Sequence, residues 1–544
     1  MDFDPAYVPY HSIRYPIYAK EGMVATSSPQ ASAAGLDALQ QGGNAIDAAI
    51  AAAATLTVTE PCSNGIGSDA FAIVWSGGKL HGLNASGKAP LNISIEKIKA
   101  AHGNTGKMPD NGWAPTMVPG APKAWARLTE RFGKLSLKAN MERAIHYARE
   151  GFPLGAGKAS FFDTAYERYT DKANDASITG GKKIFDEWFK TFMPCGIPSK
   201  AGDVLILKNH ADTLEAIANS NADAFYNGEL AERIVADSME MGGYFCREDF
   251  SSYEAEWVEP VSVNYRGYDV WEIPPNGQGV AALAALNILN NFDFVSRECI
   301  NSFHWQWEAM KLAFSDALAH ITDYRFMKED YREWLSPEYG RKRAAEIGEK
   351  ACIPGPINHP KGGTVYLATA DGEGNMVSYI QSNYMGFGSG IVIRGTGIAL
   401  QNRGADFSLN PYAANALAPG KRCYHTIIPG FLTKNGKALG PFGVMGGYMQ
   451  PQGHIQFITN MIDFGLNPQQ ALDAPRWQWF EGRKIQVEPG FNTEIARALS
   501  KRGHDVSIVL SSAGFGRGQC ILRLDNGVLV GATESRTDGN IACM

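Results

Sequence analysis

The stretch KGGTVYLATADGEGNMVSYIQSNYMGFGSG, residues 361–390, contains the pattern that decides the fold. Residues 364–370 (TVYLATA) and 376–383 (MVSYIQSN) are rich in β-branched and aromatic residues, which predicts two strands. The turn-forming run DGEGN at 371–375 lies between them. The sequence therefore predicts a β-hairpin whose first strand begins directly behind the two glycines Gly362-Gly363.

The length of the loop determines which residues of the hairpin face each other. If all five loop residues form the turn, Ala370 faces Met376, and Thr364 then lies opposite Ser382. A loop of four residues would bring Asn383 to that position instead. Opposed side chains share one face of the sheet, with Cβ atoms about 5 Å apart. Either register gives the threonine a polar partner, and a simple cross-strand pair on a sheet surface is one interpretation of it.

A catalytic interpretation explains the glycines as well. A threonine hydroxyl can attack the carbonyl that precedes it, and an unusual backbone at the preceding residue, easy for glycine, favours that attack. Cleavage between Gly363 and Thr364 would create a new N-terminus. The free amine, with a reference pKa of about 7.7–8.0, could then act as base for the threonine's own hydroxyl.

A second glycine pair is a candidate for holding negative charge. The segment FGVMGGYMQPQGHIQFITNM (442–461) reads as a strand, then Gly446-Gly447, then a helix. Backbone N–H groups at a helix N-terminus are suited to stabilise an oxyanion. An ordinary glycine-rich connection is the alternative.

The rest of the chain reads as blocks of helices and antiparallel hairpins, which indicates an α+β fold with sheets covered by helices. Asn44 is the predicted N-cap of an alanine-rich buried helix. The other predicted elements are a helix at 30–42, strands at 71–75 and 79–85, a mostly helical middle at 120–350, a strand-rich part at 364–445, helices near 452–463 and 493–502, and a hairpin at 520–533.

Composition narrows the class of protein. The 544 residues carry a net charge of −6 with no basic run, which gives no reason to expect a nucleic-acid or membrane partner. The eight cysteines form no CxxC pair, and the histidines show no metal-ligand spacing. No basic segment followed by an apolar one opens the chain. These features predict a cytoplasmic protein with reduced thiols and no metal.

Taken together, the motifs resemble those of the γ-glutamyltransferase family of N-terminal nucleophile hydrolases. The similarity covers nearly the whole chain and includes the hairpin and the MGGYMQPQGH segment quoted above. Further matching segments are EGMVATSSPQASAAGLDALQQGGNAIDAAIAAAATLTVTEPCSNGIGSDAFAIVW (21–75), VPGAPKAWARLTERFGKLS (118–136), EWVEPVSVNYRGYDVWEIPPNGQG (256–279), GTGIALQNRGADFS (395–408) and GLNPQQALDAPRW (465–477). The resemblance implies a four-layer αββα sandwich, made as one proenzyme that cuts itself into a large subunit (1–363) and a small subunit (364–544).

The resemblance also implies roles for single residues. Thr364 is the expected nucleophile and Ser382 the hydroxyl that hydrogen bonds it. Gly446 and Gly447 are the expected oxyanion-hole glycines, and Asp406 the acid that holds a substrate's α-amino group.

Several positions depart from the family pattern, and they concern substrate choice. Ser86 stands where the family has its carboxylate-binding arginine, and His425-Thr426 replace a serine pair. Arg403 stands where a neutral or acidic residue is usual. The segment between Phe407 and Arg422 is short, so a lid loop is not expected. Asn383, Arg403, Asp406, His425 and Thr426 are therefore the candidate substrate-binding residues.

The expected function is that of a self-cleaving amide hydrolase or acyltransferase that acts on a γ-glutamyl or similar small acyl amide through an acyl-enzyme. The alternatives are a cephalosporin or glutaryl acylase, an oxamate amidohydrolase, and an uncut binding protein without turnover. The expected partners are a small-molecule amide and the protein's own two subunits, with a homo-oligomer as a further option. The expected chemistry needs no cofactor.

Overall fold

The computed structural model describes residues 13–174, 181–354 and 363–544. Gly362 lies outside these ranges, whereas Gly363 and Thr364 lie inside them. None of the helices in the described ranges combines the length and the apolar composition that a bilayer crossing needs. All eight cysteines are unpaired.

The strands and helices are numbered in chain order. The strands are β1 (Ile17–Ala19), β2 (Gly22–Thr26), β3 (Asp69–Ser76), β4 (Lys79–Ala85), β5 (Phe152–Pro153), β6 (Val204–Leu205), β7 (Glu256–Val258), β8 (Val261–Tyr265), β9 (Tyr268–Glu272), β10 (Gly363–Asp371), β11 (Met376–Tyr384), β12 (Gly430–Lys434), β13 (Lys437–Met445), β14 (Trp477–Glu481), β15 (Lys484–Val487), β16 (Asp505–Ile508), β17 (Arg517–Arg523), β18 (Leu529–Thr533) and β19 (Asn540–Cys543). The helices are α1 (Pro29–Gln40), α2 (Ala45–Thr59), α3 (Ile95–His102), α4 (Ala121–Phe132), α5 (Leu137–Glu150), α6 (Ala156–Ala173), α7 (Asp186–Phe192), α8 (Lys208–Ser220), α9 (Asp223–Tyr226), α10 (Glu229–Glu240), α11 (Arg247–Ser251), α12 (Gly279–Leu289), α13 (Ile300–His320), α14 (Pro337–Ala344), α15 (Met449–Ile462), α16 (Pro468–Asp473) and α17 (Thr493–Lys501).

Two seven-stranded antiparallel sheets form the centre of the molecule. Sheet I has the order β1-β18-β17-β13-β12-β9-β8, and sheet II has the order β19-β2-β10-β11-β3-β4-β7. One apolar cluster lies between the sheets and takes residues from both. A second cluster joins α12, α13 and α15 to sheet I, and a third joins α1, α2 and α5 to sheet II. The order of layers is helix, sheet, sheet, helix, as expected.

The alternation of side chains along β10 determines which residues reach the space between the sheets. Tyr366 and Ala368 belong to the cluster between the sheets, whereas Val365 and Leu367 pack against the helices on the other face. Successive strand residues point to opposite faces, so Thr364 shares the inter-sheet face with Tyr366. The fold therefore directs the threonine into the space between the two sheets.

The predicted elements outside the hairpin are largely confirmed. The alanine-rich helix is α2, buried along its whole length, and the side chain of Asn44 caps it by accepting from the backbone N–H groups of Ile46 and Asp47. The middle of the chain is mostly helical as predicted, but five strands lie within it. Of these, β5 and β6 pair with each other, while β7 joins sheet II and β8 and β9 join sheet I. The strand-rich prediction for 364–445 is too broad, since residues 385–429 are mostly irregular apart from a 3₁₀ turn at Arg403–Asp406.

Candidate active site

The β10–β11 hairpin brings the predicted nucleophile and its predicted partner together. Ala370 pairs with Met376 as the five-residue loop requires. The ladder keeps this register to Val365 and then shifts by one residue at a bulge. Thr364 Oγ1 lies 3.0 Å from Ser382 Oγ, and both side chains are buried. The hairpin therefore selects Ser382, and not Asn383, as the partner of Thr364.

Ser382 also contacts the carbonyl of the peptide bond ahead of the threonine. Its hydroxyl donates to the backbone oxygen of Gly363 at 2.8 Å, and its oxygen accepts from the backbone N–H of Tyr384 at 2.8 Å. Because a serine hydroxyl has a single hydrogen, the hydroxyl of Thr364 must be the donor in the contact between the two side chains. The Ser382 hydroxyl thus accepts a hydrogen bond from Thr364 and donates one to the Gly363 carbonyl.

The unusual backbone in this hairpin lies opposite Gly363 and not at Gly363 itself. The φ angle of Gly363 falls outside the left-handed region, and a Cβ there would have ordinary contacts of 3.5 Å. The expected strain at this glycine is absent from the uncut chain. Tyr384, which pairs with Gly363, has φ of 75°, a rare conformation for a bulky residue. Such outliers persist only where the surroundings hold them, often at functional sites.

Gly446 and Gly447 connect the end of β13 to the start of α15, as the sequence predicts. Their φ angles are 137° and 62°, in the region that favours glycine. A Cβ on Gly446 would lie 3.1 Å from Cα of Gly516, so the backbones approach closely there. The carbonyl of Gly447 accepts from Nε2 of Gln278 at 3.0 Å. The pair is therefore held rigidly at a helix N-terminus.

Contacts between the sheets show how β13 runs relative to β10. A Cβ on Gly440 would lie 2.9 Å from Met376, which pairs with the far end of β10. A Cβ on Gly443 would lie 2.4 Å from the ring of Tyr366, near the start of β10. The two strands therefore run in opposite directions across the sandwich. If the same alignment is extended to the end of β13, Gly446 lies opposite the first residues of β10, which include Thr364.

A buried charged cluster surrounds Asp406. Tyr384 donates its hydroxyl to Asp406 Oδ1 at 2.6 Å, and Arg403 donates Nη1 to Oδ2 at 3.0 Å. Tyr448 adds a further side-chain hydrogen bond to this carboxyl group. Burial raises the pKa of Asp406, while Arg403 and the tyrosine hydroxyls oppose the rise. Arg403 also donates Nη2 to Thr426 Oγ1 at 2.8 Å, so three predicted residues meet.

His425 contacts protein groups through both ring nitrogens. Nε2 lies 2.9 Å from Asp69 Oδ2, and Nδ1 accepts from the backbone N–H of Ile427 at 3.3 Å. Burial, together with the charge of Arg403, lowers the pKa of His425 well below its ordinary value. The imidazole is therefore neutral, with its proton on Nε2 and directed at Asp69. Both ring nitrogens of His425 are therefore occupied by protein partners.

Asp69 is a site residue that sequence reasoning missed. It pairs with Ser382 across the β11–β3 ladder and accepts from His425, from Gln401 at 3.1 Å and from the backbone of Gly87 at 2.8 Å. Burial raises the pKa of Asp69 to about 7. In the sequence, Asp69 is marked only by being a charged residue at the start of a largely apolar strand.

Asn383 and Ser86, two other positions singled out in the sequence, form hydrogen bonds with residues outside the cluster around Asp406. Asn383 accepts from the Ser68 hydroxyl at 2.7 Å, and its side chain makes no hydrogen bond to Thr364. Ser86 donates to Asn84 at 2.7 Å and is fully buried. Neither side chain belongs to the cluster of Arg403 and Asp406.

A separate buried cluster contains side chains that metal sites use. His304, Glu308 and His504 have ligand atoms within 4.8 Å of one another. Lys311 lies among them, with Nζ 2.7 Å from Glu308 Oε1 and 3.4 Å from His504 Nδ1. His504 Nε2 lies 2.9 Å from His304 Nδ1, and His304 Nε2 lies 2.8 Å from the carbonyl of Gly348. The ammonium group already supplies the positive charge, so these side chains do not fit a cation.

This histidine–lysine cluster predicts a loss of stability in acid. Burial, with Lys311 and His304 adding to it, lowers the pKa of His504 to about 2. The unfolded chain takes up this proton below pH ~6.5 and the folded protein does not, so stability falls as pH falls. By pH 5 the loss from His504 is about 2 kcal/mol.

We expect His504→Gln to show a smaller drop in Tm between pH 7.5 and pH 5 than the parent, measured by scanning calorimetry. The control is His146→Gln, at an exposed position, which should keep the parental drop. An unchanged drop in His504→Gln would contradict a neutral buried imidazole.

Comparison with known proteins agrees with the fold. The model of the family described as Gamma-glutamyltranspeptidase matches residues 31–544. The glutathione hydrolase-like YwrD proenzyme of Bacillus subtilis is 36% identical and covers 95% of this chain and 97% of its own. The oxamate amidohydrolase proenzyme of Klebsiella pneumoniae is 32% identical, with coverage of 96% and 98%.

A solved structure extends the comparison to three dimensions. The crystal structure of cephalosporin acylase from Bacillus halodurans is 55% identical, covers 100% of this chain and 99% of its own, and superposes with a TM-score of 0.95. The predicted N-terminal nucleophile hydrolase fold is thereby confirmed. The chain therefore belongs to the gamma-glutamyltranspeptidase family and is an autoprocessing enzyme of the hydrolase and acyltransferase kind.

Proposed function

We propose that Thr364 is the nucleophile of this enzyme and that it first attacks the peptide bond between Gly363 and itself. The observation that carries this proposal is the pair of contacts made by Ser382. Its hydroxyl lies 3.0 Å from Thr364 Oγ1 and 2.8 Å from the carbonyl oxygen of Gly363. Attacking oxygen and target carbonyl are thereby linked through a single side chain, which favours an aligned attack.

In self-cleavage, Thr364 Oγ adds to the carbonyl carbon of Gly363 while Ser382 stabilises the developing charge on the carbonyl oxygen. The C–N bond then breaks, and the nitrogen takes up the proton that the hydroxyl has lost. The product is an ester between Gly363 and the Thr364 side chain. Water hydrolyses this ester and leaves a carboxylate on Gly363 and a free amine on Thr364.

In turnover, the new amine acts as base for the hydroxyl of the same residue. Its reference pKa of about 7.7–8.0 suits proton transfer near neutral pH. Thr364 Oγ attacks the substrate carbonyl, and the N–H groups of Gly446 and Gly447 stabilise the oxyanion. The amide C–N bond breaks, the amine leaves with a proton, and water or an acceptor amine releases the acyl group.

The substrate we propose is a γ-glutamyl or similar small acyl amide. The relatives' names point to different substrates, glutathione and oxamate among them, and the matched solved structure is called a cephalosporin acylase. The 55% identity to that acylase favours acylase activity as the second candidate. Both candidates use the same nucleophile and differ in what binds beside Arg403 and Asp406.

The direct test is the covalent state of active material. We expect intact-mass measurement under denaturing conditions to give two chains, one of which begins Thr-Val-Tyr and comprises residues 364–544. N-terminal sequencing of that chain identifies the cut. Active material that consists of one 59.0 kDa chain would contradict the proposal, since its threonine would have no free amine.

A further inference from the structure

Arg517, at the start of β17, is a buried arginine whose hydrogen-bond donors are unused. The residue is 7% exposed, and its guanidinium makes no hydrogen bond with any described residue. Oε1 of Glu60 lies 3.7 Å from Nη1, too far for a hydrogen bond, and has no hydrogen-bond partner of its own in the described part of the chain. The ring centre of Phe161 lies 4.8 Å from the guanidinium carbon. Buried polar groups are almost always satisfied, so this guanidinium needs an acceptor.

The other charged groups of this cluster have closer partners. Oε2 of Glu60 accepts from the Ser27 hydroxyl at 2.6 Å. Lys158 donates Nζ to the backbone carbonyl of Ser27 at 2.8 Å and to Asp538 Oδ2 at 3.1 Å. The Lys158 ammonium also lies 3.6 Å from Glu60 Oε2, which weakens the repulsion between Glu60 and an incoming anion. A carboxylate could therefore bind the guanidinium without displacing an existing hydrogen bond.

The side chain of Arg517 faces the same space as the threonine. Ile521, four residues further along β17, belongs to the cluster between the sheets. Strand residues an even number apart share a face, so Arg517 points into the inter-sheet space as well. Arg517 pairs with Met445, which directly precedes Gly446. The guanidinium is therefore at the end of the sandwich that holds the oxyanion glycines and Thr364.

Arg517 and Arg403 lie on opposite sides of Thr364. Across the sandwich, β17 packs against β10 and β2. The cluster of Arg403 and Asp406 is instead connected to β11, through the hydroxyl of Tyr384. In sheet II, β2 and β11 are the two neighbours of β10. The two halves of an amide extend in opposite directions from its carbonyl, so an acyl half directed towards Arg403 leaves the amine half directed towards Arg517.

The peptide at the proposed cut borders the same cluster. A Cβ on Gly363 would lie 3.5 Å from the carbonyl oxygen of Cys62 and 3.5 Å from Cα of Ser63. Burial raises the pKa of the Cys62 thiol to about 12, and the nearby charge of Arg517 opposes the rise. Arg517 and Gly363 thus both adjoin this short segment, which places the guanidinium within reach of an amine attached to a carbonyl at Thr364.

We propose that Arg517 binds a carboxylate on the amine half of the substrate, so that the enzyme prefers amides whose leaving amine is itself an acid, such as an aminobenzoate or an amino acid. The inference rests on the proposed role of Thr364 as nucleophile. Hydrolysis breaks the amide C–N bond and consumes one water, which gives the acid of the acyl half and an amine that still carries its carboxylate. Arg517 is a specificity-determining residue in this scheme, and Phe161 lines the site beside it.

The test uses amides that share an acyl group and differ only in the amine. γ-Glutamyl anilide and γ-glutamyl-3-carboxyanilide form one pair, and the two glutaryl analogues form a second pair, so the choice of acyl group does not affect the comparison. We expect kcat/KM of the carboxyanilide to exceed that of its plain partner by at least about 10-fold, the effect of a hydrogen bond to a charged group. Chromatography quantifies the released aniline or 3-aminobenzoate.

Variants assign this preference to the guanidinium. Arg517→Gln should bring the ratio of kcat/KM within a pair to about one, mainly through KM, and Arg517→Lys should keep part of it. Because Arg517→Gln leaves the buried Glu60 without its partner, the double variant with Glu60→Gln is measured as well and should show the same loss. Arg523→Gln is the matched control, on the same face of β17 about 20 Å along the strand, and should keep the ratio.

A binding measurement gives a readout that needs no turnover. Free 3-aminobenzoate is titrated into the cut protein and followed by ligand-observed NMR. We expect its affinity to be at least about 10-fold lower in Arg517→Gln than in the parent, and unchanged in Arg523→Gln. If none of the four amides is cleaved, this titration alone decides the inference.

Each outcome bears on a separate claim. Equal kcat/KM within each pair, or a ratio that Arg517→Gln and the double variant leave unchanged, would overturn the inference and leave the nucleophile unaffected. So would equal affinity of the parent and Arg517→Gln for 3-aminobenzoate, or an equal loss in Arg523→Gln. Amine release by Thr364→Ala, or by parent protein that stays uncut, would instead contradict the proposed function.

Discussion

Replacing Thr364 by alanine is expected to give a single uncut chain of 59.0 kDa whose amide hydrolysis is reduced by roughly 10⁴-fold or more. The change removes the hydroxyl oxygen that we propose attacks both the Gly363 carbonyl and the substrate. The fold should survive, because the alanine gives up only one side-chain hydrogen bond, at the start of β10.

Denaturing electrophoresis and an amide hydrolysis assay on the same preparation check this prediction. Thr364→Ser is the matched control, since it keeps the hydroxyl and should still be cut, more slowly. The same two fragments from Thr364→Ala and the parent would show that another group cleaves the chain, and the assignment of the nucleophile would be wrong.

The second large effect is expected at Ser382. Ser382→Ala removes the donor to the Gly363 carbonyl and the acceptor for the Thr364 proton, while leaving the nucleophile in place. Loss of one donor to a developing oxyanion slows a reaction by about 100- to 1000-fold, so self-cleavage should take hours or days where the parent is cut during expression. A time course of precursor disappearance measures the rate.

The chain offers a matched control on the same strand. Ser378 lies on the same face of β11, is buried, and contacts the hydroxyl of Tyr366 at 2.8 Å. It precedes Ser382 by four strand residues, about 13 Å along the strand. Ser378→Ala also loses one buried hydroxyl contact, and it should be cut at close to the parental rate. If both variants are slowed equally, the effect at Ser382 reflects packing and not a role in the chemistry.

The hairpin could be predicted from the sequence, because strand propensity and turn residues determine it locally. The sequence left two registers open, and the structure selects the five-residue loop, which places Thr364 beside Ser382. The helix behind the glycine pair and the cap at Asn44 are local in the same sense. The resemblance to a known family then gave the layer order, which no single segment encodes.

The rest of the site depends on contacts between distant parts of the chain. Asp69 meets His425 and Gln401 only after three separate segments fold together, so its local sequence carries no sign of a role. The positive φ of Tyr384 is equally unpredictable, because bulky residues rarely adopt it and only tertiary contacts hold it there. The unusual backbone expected at Gly363 also could not be located from the sequence, since the structure has it at Tyr384 on the neighbouring strand.

The strand order has a consequence for the life of the enzyme. In sheet II, β10 and β11 lie between β2 and β3, so polypeptide from both sides of the proposed cut before Thr364 alternates within one hydrogen-bonded sheet. In an intact precursor, all the strands of sheet II belong to one polypeptide and can pair without a second molecule. Two separated pieces would have to meet by diffusion while their open strand edges invite aggregation. A cut at the proposed position would therefore make folding a one-way event, and the working life of each molecule would be set by its rate of unfolding and not by a reversible equilibrium.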